Sequence, residues 1–416
     1  GLAGEGPDGV YARRRSPYNA WLNARGYGGA NPWHLHANAG RDGAGDVASG
    51  WLMRNAALPA SIAEPDSETP WLTDRAIEFI DSRDGAAPWL CHLSYIKPHW
   101  PYIVPAPWHA LHGPGDILPA VRAASERAAP HPVLAAFQER ELSRAFWRDE
   151  VRETVIPAYM GLIAQCDAHF GRLLDHLEAR GRLADTMIVL TSDHGDYLGD
   201  HWMGEKDLFH DPSVKVPLIV FDPSPEADAT RGTVCDALVE SIDLVPTFVA
   251  AMGAEPASHV LEGRALQPWL HGAGGVAAEG WRDVVISEYD YSATEVAAAL
   301  GVAPRDARLF MICDGDWKLV HCEGGFRPML HDLKADPDEL VDLGDDPAHA
   351  AVRARLLARL DAWARRPAQR TTISDARMTD PAALLDITEL RDTLADAIAK
   401  LPEREKIVVA LYYYDG

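Results

Sequence analysis

The chain of 416 residues is long enough to build a large hydrophobic core and more than one domain. Its hydrophobic content of 47% and charged content of 24% are ordinary for a soluble globular protein. The formal net charge of −23 argues against non-specific binding to nucleic acid or to an anionic membrane, because the long-range field repels polyanions. A small anionic substrate would need positive charge concentrated at its site.

The sequence also indicates a cellular setting. No apolar run approaches the roughly 20 residues that cross a bilayer, and no secretory signal pattern opens the chain. The five cysteines are odd in number, far apart and without Cys-x-x-Cys spacing, so neither a disulfide framework nor a structural zinc site is expected. We expect a cytoplasmic protein without nucleic-acid or membrane partners, and a homo-oligomer stays open.

The first clear elements lie between residues 73 and 102. Residues 73–82 have the apolar spacing of a helix with Thr73 as its cap, and residues 89–95 have the composition of a buried strand. The strand leads into KPHWPY at 97–102, where two prolines bracket His99 and restrict its backbone. A rigid turn at a strand end suits an imidazole of fixed direction, so His99 is a candidate functional residue.

A second unit of helix, strand and loop follows an insertion at residues 103–150. Residues 150–180 predict a long amphipathic helix that leads into a buried strand, Met187 to Leu190. Thr191-Ser192-Asp193-His194-Gly195 follows where that strand ends, and open α/β sheets bind ligands at the carboxyl ends of their strands. Residues 216–221 predict another buried strand.

Asp193, His194 and Lys206 are the candidate site residues of this unit. A carboxylate oxygen and an imidazole nitrogen can hold one divalent metal ion, and calcium, manganese and zinc are all compatible with the pair. Lys206 follows twelve residues after His194 and supplies a cation in a polar loop. A metal ion and a lysine together predict a site for an oxyanion.

From residue 284 the pattern changes to short strands at 284–288, 309–313 and 317–321. Asp314-Gly315-Asp316 predicts a hairpin between the last two, and a helix is predicted at 350–365. We therefore expect three parts, a hydrolase core at residues 1–275, a smaller antiparallel α+β subdomain at residues 276–376, and a helical tail at residues 377–416.

Six motifs spread over residues 70 to 376 together resemble the sulfatase branch of the alkaline phosphatase superfamily. They are SDHG with Lys206 downstream, KPHWPY at 97–102, ESIDLVPT at 240–247, SEYDYS at 287–292, DWKLV at 316–320 and MLHDLKADPDELVDLGDDP at 329–347. SEYDYS and FRPMLHDL are most similar to phosphonate monoester hydrolases. The resemblance implies an alkaline-phosphatase-like α/β fold, with a mixed, mostly parallel sheet flanked by helices and a small antiparallel C-terminal subdomain.

The resemblance also implies roles for the candidate residues. Asp193 and His194 match late metal ligands of the family, and Lys206 matches the lysine that binds sulfuryl or phosphoryl oxygens. His99 matches the histidine near the leaving group. These roles agree with the chemistry, since ester cleavage requires neutralised charge on nonbridging oxygens and a proton for the leaving group. The expected function is metal-dependent hydrolysis of a small anionic ester: a sulfate ester, a phosphonate monoester or a phosphodiester.

Two parts of the family pattern are missing from the sequence. The family nucleophile is a formylglycine made from the cysteine of Cys-x-Pro-x-Arg, and none of the five cysteines lies in that pattern. The paired acidic metal ligands are also missing, since the only adjacent aspartates, Asp345-Asp346, lie in an acidic C-terminal loop. We expect an N-terminally truncated chain that lacks the first strand of the fold, binds its metal ion weakly and has little or no turnover.

The tail after residue 377 has a different character. Leu390 to Leu401 predicts an amphipathic helix, and Pro402 is the expected start of another. From about residue 380 the chain resembles the opening of the promoter-reading segment of a flagellar-type sigma factor, where LPEREKxVxxLYYY precedes a helix-turn-helix. Five basic against eight acidic residues in the tail argue against DNA binding.

Several alternatives stay open from the sequence. A junction between unrelated reading frames accounts for the missing motifs and the foreign tail, and a genuine appended helical hairpin used for association is the other explanation. In a non-catalytic rival, the hydrolase fold is a scaffold and the tail is an interaction module. Among enzymes, the nearest alternative is a phosphodiesterase of the same superfamily with a Ser or Thr nucleophile and two zinc ions.

Overall fold

The structure is a computed structural model that describes residues 16–83, 87–258, 260–272, 280–366 and 407–411. Its helices are α1 (Pro17–Ala24), α2 (Glu68–Asp81), α3 (Ser125–Ala128), α4 (Pro132–Gln138), α5 (Glu141–Ala145), α6 (Asp149–Ala179), α7 (Asp211–Val214), α8 (Leu244–Ala251), α9 (Gln267–Leu270), α10 (Glu295–Leu300) and α11 (Ala350–Ala364). Its strands are β1 (Ala39–Arg41), β2 (Val47–Ser49), β3 (Leu90–His92), β4 (Thr186–Thr191), β5 (Leu218–Phe221), β6 (Val285–Asp290), β7 (Arg308–Cys313), β8 (Trp317–Cys322), β9 (Met329–Asp332) and β10 (Ile407–Leu411). In these ranges no helix is both long and apolar enough to cross a membrane.

The central sheet has four strands in the order β3-β10-β4-β5. β10 is parallel to both of its neighbours, and β5 is antiparallel to β4. Ile188 of β4 packs toward α2 and α6, while Met187 and Val189 pack toward α8. Because side chains of a strand alternate between the two faces, β4 is covered by helices on both sides. The predicted mixed sheet flanked by helices is confirmed.

The helix that leads into this sheet is confirmed, and its neighbour begins earlier than predicted. α6 covers Asp149–Ala179, close to the predicted residues 150–180. α2 begins at Glu68, so Thr73 lies inside the helix and does not cap it. The Thr73 hydroxyl donates to the carbonyl oxygen of Thr69 one turn earlier, at 2.9 Å. Local bonding of this kind is why a threonine alone does not mark a helix start.

The edge strand β5 departs from the prediction. It covers Leu218–Phe221 and not the whole of residues 216–221. Ile219 is 63% exposed, so the strand is not buried on both faces. The reason is its position, since an edge strand can keep one face in solvent.

The C-terminal part is an antiparallel sheet in the order β6-β7-β8-β9, with α11 packed on it. The predicted hairpin at residues 314–316 joins β7 to β8, and the Asp314 side chain accepts from the backbone nitrogens of Asp316 and Trp317. The predicted antiparallel C-terminal sheet and its helix are confirmed. The domain bounds at residues 275 and 376 stay predictions.

A buried ion-pair cluster joins the two parts of the chain. Lys318 of β8 is 2% exposed, and its Nζ lies 2.7 Å from the carboxylates of both Asp211 and Glu339. Burial alone lowers the pKa of Lys318, but Glu339 and Asp211 raise it above its usual value. The ammonium group therefore stays charged inside the molecule, held by carboxylates on both sides of the junction.

The tail differs from the predicted helix that begins at Pro402. Residues 407–411 form strand β10, so the helix prediction is wrong for these residues. Ile407-Val408-Val409-Ala410-Leu411 is apolar and rich in β-branched residues, a composition that favours a strand when neighbouring strands offer backbone pairing. The predicted helix at Leu390 to Leu401, and the rest of the sigma-like segment, lie outside the described residues.

Candidate active site

The candidate site lies in the turn that follows β4. Ser192 Oγ donates to the carbonyl oxygen of His194 at 2.7 Å, and the backbone nitrogen of His194 donates to Asp193 Oδ1 at 3.0 Å. Gly195 passes so close to α7 that a Cβ on it would lie 2.0 Å from the carbonyl oxygen of Pro212. Only glycine allows this approach, and the turn therefore has a fixed course at the strand end.

The His194 ring is oriented by hydrogen bonds at both of its nitrogens. Nδ1 lies 2.7 Å from the carbonyl oxygen of Gly195, so this nitrogen carries the proton and donates it. Nε2 is left as an acceptor and receives a hydrogen bond from Lys206 Nζ at 3.1 Å. Asp193 Oδ2 lies 3.6 Å from the same nitrogen. The lysine thus lies beside the lone pair that a metal ion would use.

Asp193 and His194 offer two donors to a metal ion. The 3.6 Å between Asp193 Oδ2 and His194 Nε2 suits two ligands of one divalent ion, whose bonds to oxygen and nitrogen are about 2.0–2.6 Å. Within the described ranges, no group of three or more His, Cys, Asp or Glu side chains is placed to hold a metal ion. The pair fits a partial metal site.

His99 lies across from His194, with their ring centroids 5.9 Å apart and nearly perpendicular. Its Nδ1 lies 2.7 Å from the carbonyl oxygen of Trp100, which fixes the ring orientation. Burial is the main reason that the pKa of His99 is lowered to about 4, and the nearby charges of Lys206 and His194 act in the same direction. His99 is therefore neutral at neutral pH, and an anion beside it would favour the protonated form.

Two site residues, Tyr102 and Asp196, were missed by sequence reasoning, although Tyr102 lies in KPHWPY and Asp196 directly follows SDHG. The Tyr102 hydroxyl donates to Asp196 Oδ2 at 2.6 Å, and the backbone nitrogen of Leu198 donates to Asp196 Oδ1 at 3.0 Å. Burial raises the pKa of Asp196, although both hydrogen bonds favour its charged form. The bond joins the loop of His99 to the loop of His194. Their separation of 94 residues gave no local signal.

Lys97 closes the His99 loop from the inside. Its Nζ donates to the carbonyl oxygen of Pro101 at 2.6 Å and to Asn38 Oδ1 at 3.1 Å. The residue is only 8% exposed, and burial lowers the pKa of Lys97 to about 8. Its ammonium group thus bridges both ends of the segment that carries His99.

The structure brings together all four residues predicted from the sequence. His99, Asp193, His194 and Lys206 converge at the carboxyl end of β4, with Lys206 as the cation of the group. A lysine and two imidazoles around one space can bind the oxygens of a tetrahedral anion. This geometry, on a mixed sheet covered by helices, defines the class as an alkaline-phosphatase-like fold.

Family comparisons make the assignment specific. Residues 18–254 match the sequence model described as Sulfatase, and residues 199–366 match the one described as N-sulphoglucosamine sulphohydrolase, C-terminal. The chain belongs to the sulfatase family. The resemblance inferred from the six motifs is confirmed for this family, whereas the sigma-factor resemblance of the tail stays a prediction.

Individual relatives point the same way. The multifunctional alkaline phosphatase superfamily protein PehA of Trinickia caryophylli is 31% identical over 329 residues, which are 75% of this chain and 62% of that protein. An arylsulfatase of Clostridium perfringens is 24% identical over 303 residues, which are 70% of this chain and 56% of that protein. The chain therefore spans less than two thirds of the length of either relative.

Two solved structures of phosphonate monoester hydrolases are similar over a larger part of the chain. The enzyme SpPMH from Silicibacter pomeroyi has a TM-score of 0.73 and 30% identity, covering 83% of this chain and 68% of its own. The enzyme of Agrobacterium radiobacter has a TM-score of 0.70 and 29% identity, with the same coverage. These likenesses confirm the resemblance to phosphonate monoester hydrolases.

The buried Lys97 predicts a pH dependence of stability. Its pKa of about 8 lies below the ordinary 10.5 of an unfolded chain, so below pH 8 the folded state carries an unfavourable buried charge. This penalty disappears as the pH rises from 8 to 10.5. The stability of the wild type relative to Lys97→Met should rise by about 3 kcal/mol over that range. Denaturant unfolding at each pH measures this free-energy difference.

Lys215→Met is the control, because the Lys215 side chain is 78% exposed. The burial of Lys97 would be contradicted if the free energy of unfolding, relative to the wild type, were independent of pH for both variants.

Proposed function

We propose that this chain carries the oxyanion-binding part of a metal-dependent hydrolase of sulfate esters or phosphonate monoesters. The observation that carries the proposal is the contact of Lys206 Nζ with His194 Nε2 at 3.1 Å, with the His99 ring facing the same histidine. The protein as a whole has a net charge of −23, which repels anions. The partly buried ammonium group of Lys206, together with the imidazoles of His99 and His194, provides a local site for a small anion. The names of the relatives, an arylsulfatase and phosphonate monoester hydrolases, support these two ester classes.

Each residue has a defined task in this proposal. Lys206 binds nonbridging oxygens of the tetrahedral group and neutralises their charge. His99 faces the leaving oxygen. Because a bound anion favours the imidazolium form, substrate binding would raise the pKa of His99, which would take up a proton from solvent and give it to the leaving group. Tyr102 and Asp196 keep the two loops at a fixed separation, so that both tasks apply to one bound molecule.

We assign Asp193 and His194 as the ligands of one divalent metal ion. When bound, the ion would add positive charge at the nonbridging oxygens. The donor set is compatible with calcium, manganese or zinc, and it would hold the ion weakly because it has two protein ligands. His194 Nε2 would then exchange its hydrogen bond from Lys206 for the ion, which frees the lysine ammonium for the substrate oxygens.

Inorganic sulfate tests the oxyanion site directly. The wild-type chain should bind sulfate measurably by calorimetry at low, constant ionic strength, and Lys206→Met should weaken binding about tenfold or more, because it removes a charged donor. The exposed Lys215→Met removes the same charge elsewhere and should leave the affinity nearly unchanged. Equal affinities in wild type and Lys206→Met would contradict the proposed site.

Manganese tests the two metal ligands. The signal of free Mn²⁺ in electron paramagnetic resonance falls as the ion binds. Asp193→Asn should weaken Mn²⁺ binding about tenfold or more, as the loss of a metal-site group does. Asp167→Asn should leave Mn²⁺ binding unchanged, because Asp167 is an exposed residue of α6. Lys206→Met should strengthen it, since the lysine no longer competes for His194 Nε2. If Asp193→Asn bound Mn²⁺ as tightly as the wild type, Asp193 would not be a metal ligand.

The sequence of 416 residues contains no Cys-x-Pro-x-Arg, and we identify no attacking group among the residues that the structure describes. We therefore expect little or no turnover of an aryl sulfate or a phosphonate monoester by residues 1–416. Release of the phenol product, followed by absorbance, measures this. Turnover that Lys206→Met abolishes would show that another residue of this chain acts as nucleophile.

A further inference from the structure

The loop that carries Lys206 has a strained backbone. Six non-glycine residues between positions 198 and 208 have positive φ angles of 45° to 97°. They are Leu198, His201, Trp202, Glu205, Asp207 and Leu208. The left-handed region is unfavourable for residues with a Cβ, and such conformations persist only where surrounding contacts hold them.

Glu126 holds the loop at His201. The two Glu126 carboxylate oxygens have different partners, since Oε1 lies 2.7 Å from His201 Nδ1 and Oε2 accepts from the backbone nitrogen of Ala123 at 2.7 Å. The side chains of Glu126 and His201 are 5% and 1% exposed. The backbone nitrogen of His201 also donates to the carbonyl oxygen of Val121 at 2.9 Å. His201 is thus bound through both its ring and its backbone.

The next contacts involve backbone carbonyl groups of the loop. Gln138 Nε2 donates to the carbonyl oxygen of His201, and Trp147 Nε1 donates to that of Trp202, each at 3.0 Å. In return, Trp202 Nε1 donates to the carbonyl oxygen of Ala123 at 2.8 Å. All these partners belong to residues 121–147, which we call the brace.

The far end of the loop is held at Asp207. The Tyr289 hydroxyl donates to Asp207 Oδ1 at 2.5 Å, and Arg140 of the brace donates to Oδ2. Between the two ends, the backbone nitrogen of Tyr197 donates to the carbonyl oxygen of Glu205 at 2.8 Å, which closes the loop on itself. Lys206 lies between Glu205 and Asp207, so its position follows from contacts made on both sides.

We propose that Glu126 is a positioning residue for Lys206. Its carboxylate keeps His201 in the left-handed region, and the fixed backbone then holds the Lys206 ammonium beside His194. Without the carboxylate, His201 can return to the right-handed region, which redirects the backbone five residues before Lys206. The inference rests on the proposed oxyanion site, because its functional meaning is the placement of the lysine that binds the anion.

The experiment compares Glu126→Gln and Glu126→Ala with the full-length wild type. Hydrogen exchange of the amides at residues 198–208 reports the loop, and calorimetry with inorganic sulfate reports Lys206. Both variants should exchange faster in this loop and bind sulfate more weakly, about tenfold or more for Glu126→Ala, which loses both carboxylate hydrogen bonds. Removing a negative charge would by itself strengthen anion binding, so weaker binding identifies lost positioning.

A matched control is Glu64→Gln, since Glu64 forms a carboxylate-histidine pair with His169 Nε2, also at 2.7 Å, away from the loop. It should leave exchange at 198–208 and sulfate affinity unchanged. If Glu126→Ala does not fold, Glu126→Gln and Tyr289→Phe, which loosens the other end at Asp207, carry the test.

The outcomes separate the two proposals. If the wild type binds sulfate through Lys206 but the Glu126 variants leave both exchange and affinity unchanged, the role of Glu126 is overturned. If the Glu126 variants loosen the loop and the wild type binds no sulfate, the proposed function fails while the contact of Glu126 with the loop stands. Faster exchange without a change in sulfate affinity would also overturn the positioning role.

Discussion

The hydrogen bond from Tyr102 to Asp196 is the constraint on which the candidate site depends. It joins two loops that are 94 residues apart in the chain and lies among buried groups, where an unpaired carboxylate would be costly. One loop carries His99 and the other carries Asp193 and His194. The bond ties these two loops together beside the point where the rings of His99 and His194 face each other, with centroids 5.9 Å apart.

The electrostatics of the site follow from burial as much as from charge. Burial keeps His99 neutral, and the Lys97 ammonium group is bound by Asn38 and Pro101. Lys206 is therefore the cation that faces the shared space. In the described structure Lys206 is engaged by His194 Nε2. The same nitrogen is the proposed metal ligand, so binding of a metal ion there would replace this one hydrogen bond.

Sequence reasoning worked where the signal was local. The apolar run of β4, the long periodic helix α6 and the turn at residues 314–316 are each determined by adjacent residues. The four candidate site residues were likewise chosen from local motifs, and the structure places them close together. It did not work for pairings set by tertiary structure. Glu126 and His201 are 75 residues apart and their hydrogen bond has no periodicity to reveal it. The exposure of Ile219 and the strand at residues 407–411 depend on which strand edges are available.

The buried cluster around Lys318 bears on how this fold can change during evolution. Domain exchange by recombination works best where few contacts cross the boundary. Here Lys318 of β8, in the C-terminal sheet, donates a hydrogen bond from its ammonium group to Asp211 of α7. Asp211 lies sixteen residues after Gly195 of the site turn. A C-terminal sheet acquired from another gene would leave Asp211 without its buried partner Lys318, with the exposed Lys215 as its remaining ion-pair partner among the described residues. The two sheets are therefore expected to be inherited together, with changes on either side of the cluster coupled.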